Sequence, residues 1–494
     1  MSEAVIVGSG PNGLACAVAL AREGVGVTVL EAEDTIGGGA RSEELTLPGV
    51  VHDLCSAVHP MAVGSPFLRS LALERHGLEW RWPEVDCAHP LDDGSAGTMF
   101  QSVHETAAAL GGRDGAAWRR VFGPPAASLE ALTADLLRPI AHLPRHPFRL
   151  VRFGVAAALP ATVLAHAWRT PQGRALFGGV AAHAVSPLSR PMSSAVGVAL
   201  ICACHSFGWA VARGGSQSIV DALAAVLREH RGTIETGVPV RSLSELPSAD
   251  AVVLDLAPSR VAEIAGDRLP KRVQRAYRRY RHGPGAFKVD LAVDAGVPWT
   301  NDACRRAGTV HVAGPFEEVA AAERQVNRGR MPERPFVLVS QQYLADPERS
   351  SGDVHPVWAY AHVPNGFDGD AEEAILDQIE RFAPGFRERI VAKVARSPGE
   401  IAAANENYVG GDIITGANTP RQVLIRPRLA LDPYSTGIPG VFICSAATPP
   451  GAGVHGMNGH NAAQSVLRRL GRQPSRPETR GRAAAAPASR SASR

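Results

Sequence analysis

The chain has 494 residues, 45% of them hydrophobic and 20% charged, a composition that folds and excludes disorder along the whole length. At roughly 150 residues per domain, two or three domains are expected. The formal charge of +3 is unevenly placed: six arginines against one acid put +5 in the last 23 residues and leave −2 for the rest, and with 5% aromatics that body lacks the basic face and stacking platform of a nucleic-acid binder.

From the N-terminus, Met1-Ser2-Glu3 leads almost directly into an apolar run, without the basic n-region of a secretory signal. Ala4–Val7 predicts a strand buried on both faces. Gly8-Ser9-Gly10-Pro11-Asn12-Gly13 follows, then a helix over Leu14–Glu23 stopped by Gly24, and a second strand over Val25–Leu30 ending on Glu31. This is a complete βαβ unit with a GxGxxG turn. Gly8 permits the tight turn, Gly10 lets main chain approach a pyrophosphate, and Gly13 lets helix and strand pack closely. The helix N-terminus favours phosphate. Glu31, 18 residues after Gly13, suits two ribose hydroxyls and would repel a 2′-phosphate, which disfavours NADP.

Ala32 and four more residues lead to Gly37-Gly38-Gly39-Ala40-Arg41-Ser42. The pattern Glu-x5-Gly-Gly closing on Ser resembles that of the flavoproteins comprising amine oxidases, phytoene desaturases and Rab-escort-type proteins. In that group the doublet covers the FAD pyrophosphate. Many members carry Arg directly after it. Here Gly39 stands there, and Arg41 is the candidate for the phosphate-facing charge.

Two insertions are expected, at about 86–209 and 271–409. The first is Ala- and Leu-rich and helical in pattern, broken by several prolines. Within it, Pro144–Trp168 mixes Arg145, Arg149 and Arg152 with Phe148, Leu150, Val151 and Phe153. It reads either as a core helix with a basic solvated face or as a peripheral membrane patch. The longest apolar stretches, Phe153–Trp168 and Ala195–Cys204, fall short of the roughly 18–20 residues that span a bilayer.

Between the insertions, Gly214-Gly215 opens a helix over Ser218–Glu229, followed by strands over Thr233–Val240 and Ala251–Asp255. The resemblance places the main chain of Val240 against adenine. The second insertion alternates strands (Phe287–Val293, Pro335–Ser340, Val357–Val363) with the amphipathic helix Glu372–Phe382. Together the insertions predict a substrate domain of mixed sheet backed by helices.

Gly440–Cys444 predicts a last buried strand, and Gly451–Ala463 leads into a helix ending near Leu470. This segment resembles the final flavin-contacting strand and helix of the phytoene-desaturase-related group, whose helix N-terminus faces the pyrimidine end of the flavin. His455 is either a flavin neighbour or a structural histidine. Lys288 and His59 are weaker candidates for a polar group near the flavin. The tail, Arg472–Arg494, has the composition of a disordered segment.

No zinc-ligand spacing or Gly-x-Ser-x-Gly occurs, and the seven scattered cysteines contain no CxxC, which fits a reducing cytosol. The fold expected is α/β: a discontinuous Rossmann-type FAD domain in three pieces (1–85, 210–270, 410–471) with the substrate domain inserted in two (86–209, 271–409). The resemblance implies FAD held by Gly8, Ser9, Gly10, Pro11, Asn12, Gly13, Glu31, Ala32, Gly38, Gly39, Arg41, Ser42, Val240, Ser445, Ala446, Gly453, Val454 and His455. It implies hydride removal from a saturated carbon of a hydrophobic substrate, isoprenoid- or polyketide-like, with oxygen or a quinone as acceptor. Rival expectations are a redox-neutral isomerase using reduced FAD and a non-redox binding protein. Amine oxidases place an aromatic residue in the C-terminal flavin stretch, where this chain offers only Phe442, so amine oxidation is disfavoured.

Overall fold

The computed structural model describes residues 2–139 and 142–472. Two sheets organise it. The first is parallel and five-stranded, in the order Val441–Ile443, Ala251–Leu254, Glu3–Val7, Gly26–Leu30, Thr233–Glu235. Its strands come from distant stretches of chain, so the dinucleotide-binding unit is discontinuous. Helices Pro11–Arg22, Gln217–Glu229 and Met457–Arg469 cover one face through Leu14, Val18, Leu223 and Val466. The other face packs Leu254 and Ile443 against Val261 and Val273 of the helices Pro258–Ala265 and Lys271–Arg278. Both faces are therefore dry, as the apolar runs required.

The strand expected over Thr233–Val240 is shorter and ends at Glu235. Gly237 turns the chain with φ +69°, and the Val238 N–H bonds Glu31 O at 2.8 Å instead of extending the ladder.

The second sheet has seven strands in the order Ile390–Arg396, Gly285–Asp294, Val354–Val363, Val337–Ser340, Ala307–Val312, Val85–Pro90, Ala96–Met99. All its pairs are antiparallel except Ala307–Val312 with Val85–Pro90. The last two strands lie in the region read as mostly helical; they are short and buried on both faces, so no alternation marked them. Side chains alternate between faces. Val289, Leu291, Val357, Ala359 and Ala361 join one core, under the helix Glu372–Phe382. Trp358, Tyr360 and Leu338 point the other way, toward the helices Gly112–Ala127, Pro171–Ala182 and Ser194–Phe207.

Helix Pro147–Ala158 buries Phe153 and Ala157 but leaves Phe148 90%, Val151 66% and Val155 65% exposed beside Arg149 and Arg152. Its solvent face is thus apolar as well as basic, unlike an ordinary solvated helix face. It meets Ala161–Ala167 at 95°, and among the described residues no single helix is long and apolar enough to cross a membrane. Arg472 donates to Glu23 O. The remainder of the basic tail lies outside the described residues.

Candidate functional site

The Rossmann turn is built by close approach. A Cβ on Gly13 would overlap Gly8 O, so only glycine lets the first helix sit on the strand end. The Gly13 N–H donates to Asp255 Oδ2 at 2.8 Å, from the end of the neighbouring strand. Burial lifts the Asp255 carboxyl to about 7, against the pull of that N–H and with help from Glu31. Glu31 accepts Ser9 N–H (2.8 Å) and Ser9 Oγ–H (2.5 Å) on one oxygen and Glu33 N–H (3.0 Å) on the other. Gly38 lies against Gly10, a Cβ there being 3.2 Å from Gly10 Cα, so the two glycine loops touch. From the far end, Gly459 of the last helix meets Asn12 O so closely that any side chain would collide. This clamps the C-terminal segment onto the first turn.

These loops open on one cavity of about 560 Å³. Gly8, Gly10, Pro11, Asn12, Glu31, Ala32, Gly38, Gly39, Arg41, Val240, Ser445, Ala446, Gly453 and Val454 line it, so the chain brings together segments more than 400 residues apart. The Arg41 guanidinium reaches the wall while donating to Gly38 O (3.1 Å) and Ala404 O (3.0 Å).

Four of the residues expected at the cofactor stand behind the lining. Ser9 and Gly13 hold the turn from within. Ser42 points away, its hydroxyl donating to Asp53 Oδ1 at 2.7 Å. His455 is buried, and its Nδ1 accepts the Met457 N–H at 3.1 Å, which holds the ring against the start of the last helix and out of the cavity lining. His59 likewise faces inward, bonded to Ser216 Oγ at 2.7 Å. Burial pulls both histidines to about 4, leaving them neutral.

Lys288 is placed differently. It lines a small adjoining cavity together with Gly38, Gly39, Cys55, Trp358 and Tyr408. Its Nζ is paired with Asp290, donates to Asp53 O at 3.0 Å and lies 5.4 Å from the Trp358 ring centre. Burial lowers the ammonium to about 8, with Asp290 opposing.

Asp53 ties the two sheets together. It accepts Ser42 Oγ–H, Ser216 N–H (2.7 Å) and Arg349 Nη1–H (2.6 Å), and Arg349 also reaches Asp346 (3.0 Å). Burial pushes the Asp53 carboxyl up, but Arg349 and these donors outweigh it and hold it low.

The opposite wall of the cavity was not legible beforehand. It is the inner face of the seven-stranded sheet, where register sets Lys288 opposite Tyr360, Asp290 opposite Trp358, and Leu338 beside Tyr360. Trp358, Tyr360, Leu338, Thr309, Trp209, Val196, Leu200 and His183 line it. His183 Nε2 is 2.8 Å from His311 Nε2, and His311 Nδ1 is 3.2 Å from Cys87 Sγ. Burial brings His183 to about 3. Tyr408, under Gly39, and Arg426, beside Gly451, complete the site. Alternation in Val357–Val363 announced the aromatic face; it could not announce what the face looks upon.

An FAD molecule fits this cradle on the structure's own terms. An acid that can hold ribose, main-chain turns closed to side chains and the segment Ser445–Val454 line one continuous cavity.

The chain matches the model of an NAD(P)-binding Rossmann-like domain over residues 6–71. It is 22% identical to the "pyridine nucleotide-disulfide oxidoreductase domain-containing protein 2" of Rattus norvegicus over 95% of this chain and 94% of that one, and equally to the Mus musculus protein. Among solved structures it is similar to an oxidoreductase from Methanosarcina mazei (TM-score 0.60, 16% identity, 94% of this chain and 100% of that one). Putrescine oxidase gives TM-score 0.60 at 18% identity over 94% and 99% of the two chains. Cyclohexylamine oxidase from Brevibacterium oxydans gives 0.54 at 14% over 95% and 100%. With the geometry of the cradle and the matched domain, the chain carries a Rossmann-type dinucleotide-binding unit within the fold of these oxidases.

Proposed function

We propose that this oxidoreductase is of the phytoene-desaturase-related type. It removes a hydride from a saturated carbon of a hydrophobic, isoprenoid- or polyketide-like substrate and introduces a double bond. The observation that carries this reading is the single cavity walled on one side by the glycine loops and on the other by Trp209, Trp358, Tyr360, Leu338, Val196 and Leu200. When bound, FAD supplies the hydride acceptor.

The chain's residues do the rest. Main-chain N–H groups of Gly10, Asn12, Gly38 and Gly39 would hold the pyrophosphate. Glu31 holds the ribose, Val240 the adenine and Ser445–Val454 the flavin end. The aromatic wall buries the apolar substrate and excludes water. His183, kept neutral by burial, lines the wall and is held by His311, the two rings being 2.8 Å apart, and the proton that leaves beside the hydride is released to solvent. Lys288 positions Trp358 beneath the doublet. Oxygen or a quinone reoxidises the enzyme.

Two solved neighbours are amine oxidases by name. Phe442, the aromatic residue of the C-terminal stretch, is buried inside its strand, and the cavity carries Arg426, which repels a cationic amine. Amine oxidation is therefore not proposed. The exposed Phe148, Val151 and Val155 with Arg149 and Arg152 support docking on an anionic membrane, from which such a substrate would enter.

Anaerobic mixing of the FAD-loaded protein with isoprenoid and polyketide extracts tests the reading. Bleaching of the flavin with a product two hydrogens lighter is expected. A product of unchanged mass would replace desaturation by isomerisation.

A further inference from the structure

Among the described residues two arginines are buried, and they are treated in opposite ways. Arg349 meets two carboxylates, Asp53 and Asp346. Arg426, 5% exposed, forms no ion pair among the described residues. Its Nε donates to Gln422 O at 2.8 Å, closing the last turn of the short helix Pro420–Leu424. Its Nη2 donates to Asn418 Oδ1 at 3.0 Å, and Asn418 is itself fixed by donating to Ala184 O at 3.1 Å. Both acceptors are neutral, and Nη1 has no acceptor among the described residues.

The position of Nη1 is built to stay open. Gly451 has φ +120°, and a Cβ there would come within 2.8 Å of Nη1. The guanidinium thus lines the cavity at the junction of the flavin-side loop and the wall that carries His183. The four acids on the same cavity are engaged elsewhere: Glu31 with Ser9, Glu33 with Arg41, Asp255 with Gly13, Glu406 with Arg260. A buried cation held only by neutral acceptors costs several kcal/mol, on the order of a lost ion pair, unless a ligand brings the anion. A planar guanidinium with a free edge fits a carboxylate.

We propose that Arg426 is a carboxylate-binding subsite, so that the substrate is an amphiphilic acid with its apolar chain on Trp209, Trp358 and Tyr360 and its carboxylate on Nη1. This rests on the reading of the cavity as the substrate site and deepens it.

The test is binding, not turnover. Decanoate and 1-decanol are titrated into the full-length FAD-loaded protein, wild type and the variants Arg426→Gln and Arg426→Lys. Flavin absorbance and tryptophan fluorescence are the readouts, and the flavin midpoint potential is measured in each protein. Decanoate is expected to bind wild type far more tightly than decanol and to lose about 30-fold or more in Arg426→Gln. Arg426→Lys should retain part of that affinity, and decanol binding and potential should be unchanged. Equal binding of acid and alcohol by wild type would overturn the subsite, without recourse to any variant. So would an altered potential with unaltered decanoate affinity, which would assign Arg426 to the reduced flavin. Failure to take up FAD would sink the functional reading instead, while the fluorescence titration would still decide the subsite.

Discussion

The cavity has two walls made on different principles. The cofactor side is main chain: turns at Gly8–Gly13 and Gly37–Gly39, and a last helix seated on Asn12 through Gly459. The proposed substrate side is side chain: Trp358, Tyr360 and Leu338 from two paired strands, with Trp209 and His183 from the helical layer. Main-chain geometry at a turn is dictated locally, by which residue tolerates the approach. A side-chain wall depends on strand register over the whole sheet. The first wall is therefore intolerant of added atoms, whereas the second is open to substitution and, on the proposed reading, is the one that would set specificity.

Substitutions should separate the two. The largest effect is expected from Gly13→Val, which drives a side chain into Gly8 O and dismantles the turn. FAD content after purification should fall to background; retention of a full flavin spectrum would show the turn is not needed. Next is Arg349→Met, which strands Asp53 and Asp346 without a cation where the two sheets meet. Loss of a buried partner costs about 3–5 kcal/mol. Calorimetry should register it, and an unchanged Tm would contradict the network.

Trp358→Ala acts on the other wall. FAD content should hold while kcat/KM for the substrate falls about 100-fold, an aromatic burial of about 3 kcal/mol. Equal loss of FAD would mean the walls are not separable.

Acid should weaken both walls together. His59, His455 and His460 beside the cradle and His89 in the large sheet are pulled from 6.5 to about 4, in each case first by burial. The unfolded chain binds these protons first. Stability is thus fully present above pH 6.5 and is lost as pH falls toward 4. A Tm that stays flat between pH 6.5 and 5 would refute this. The smallest effect is expected from reversing Arg145, Arg149 and Arg152 to Glu. Flotation with anionic liposomes should drop several-fold while FAD content is untouched; equal flotation would remove the membrane contact.

How much was legible follows the same division. The strand–GxGxxG–helix–strand–Glu31 order and the Gly37–Gly39 loop were readable because each residue type is demanded by its neighbours in sequence. Glu31, Val240, Ser445, Ala446, Gly453 and Val454 line the cavity. His455 and His59 stayed open in the sequence because a buried histidine serves as well to bond a main-chain N–H or a serine as to face a cofactor. Gly459 and Asp255 escaped because their contacts lie hundreds of residues away. Val85–Pro90 and Ala96–Met99 escaped because they are short and buried on both faces, so no alternation shows, and Asp86 and His89 interrupt the first. Trp358 and Tyr360 could be assigned a face but not a partner, since the register with Asp290 and Lys288 is set in three dimensions.

The most direct measurement is the absorption spectrum of the purified full-length protein. Flavin bands at one FAD per chain, bleached by dithionite, are predicted. A colourless protein that takes up no added FAD would contradict the account.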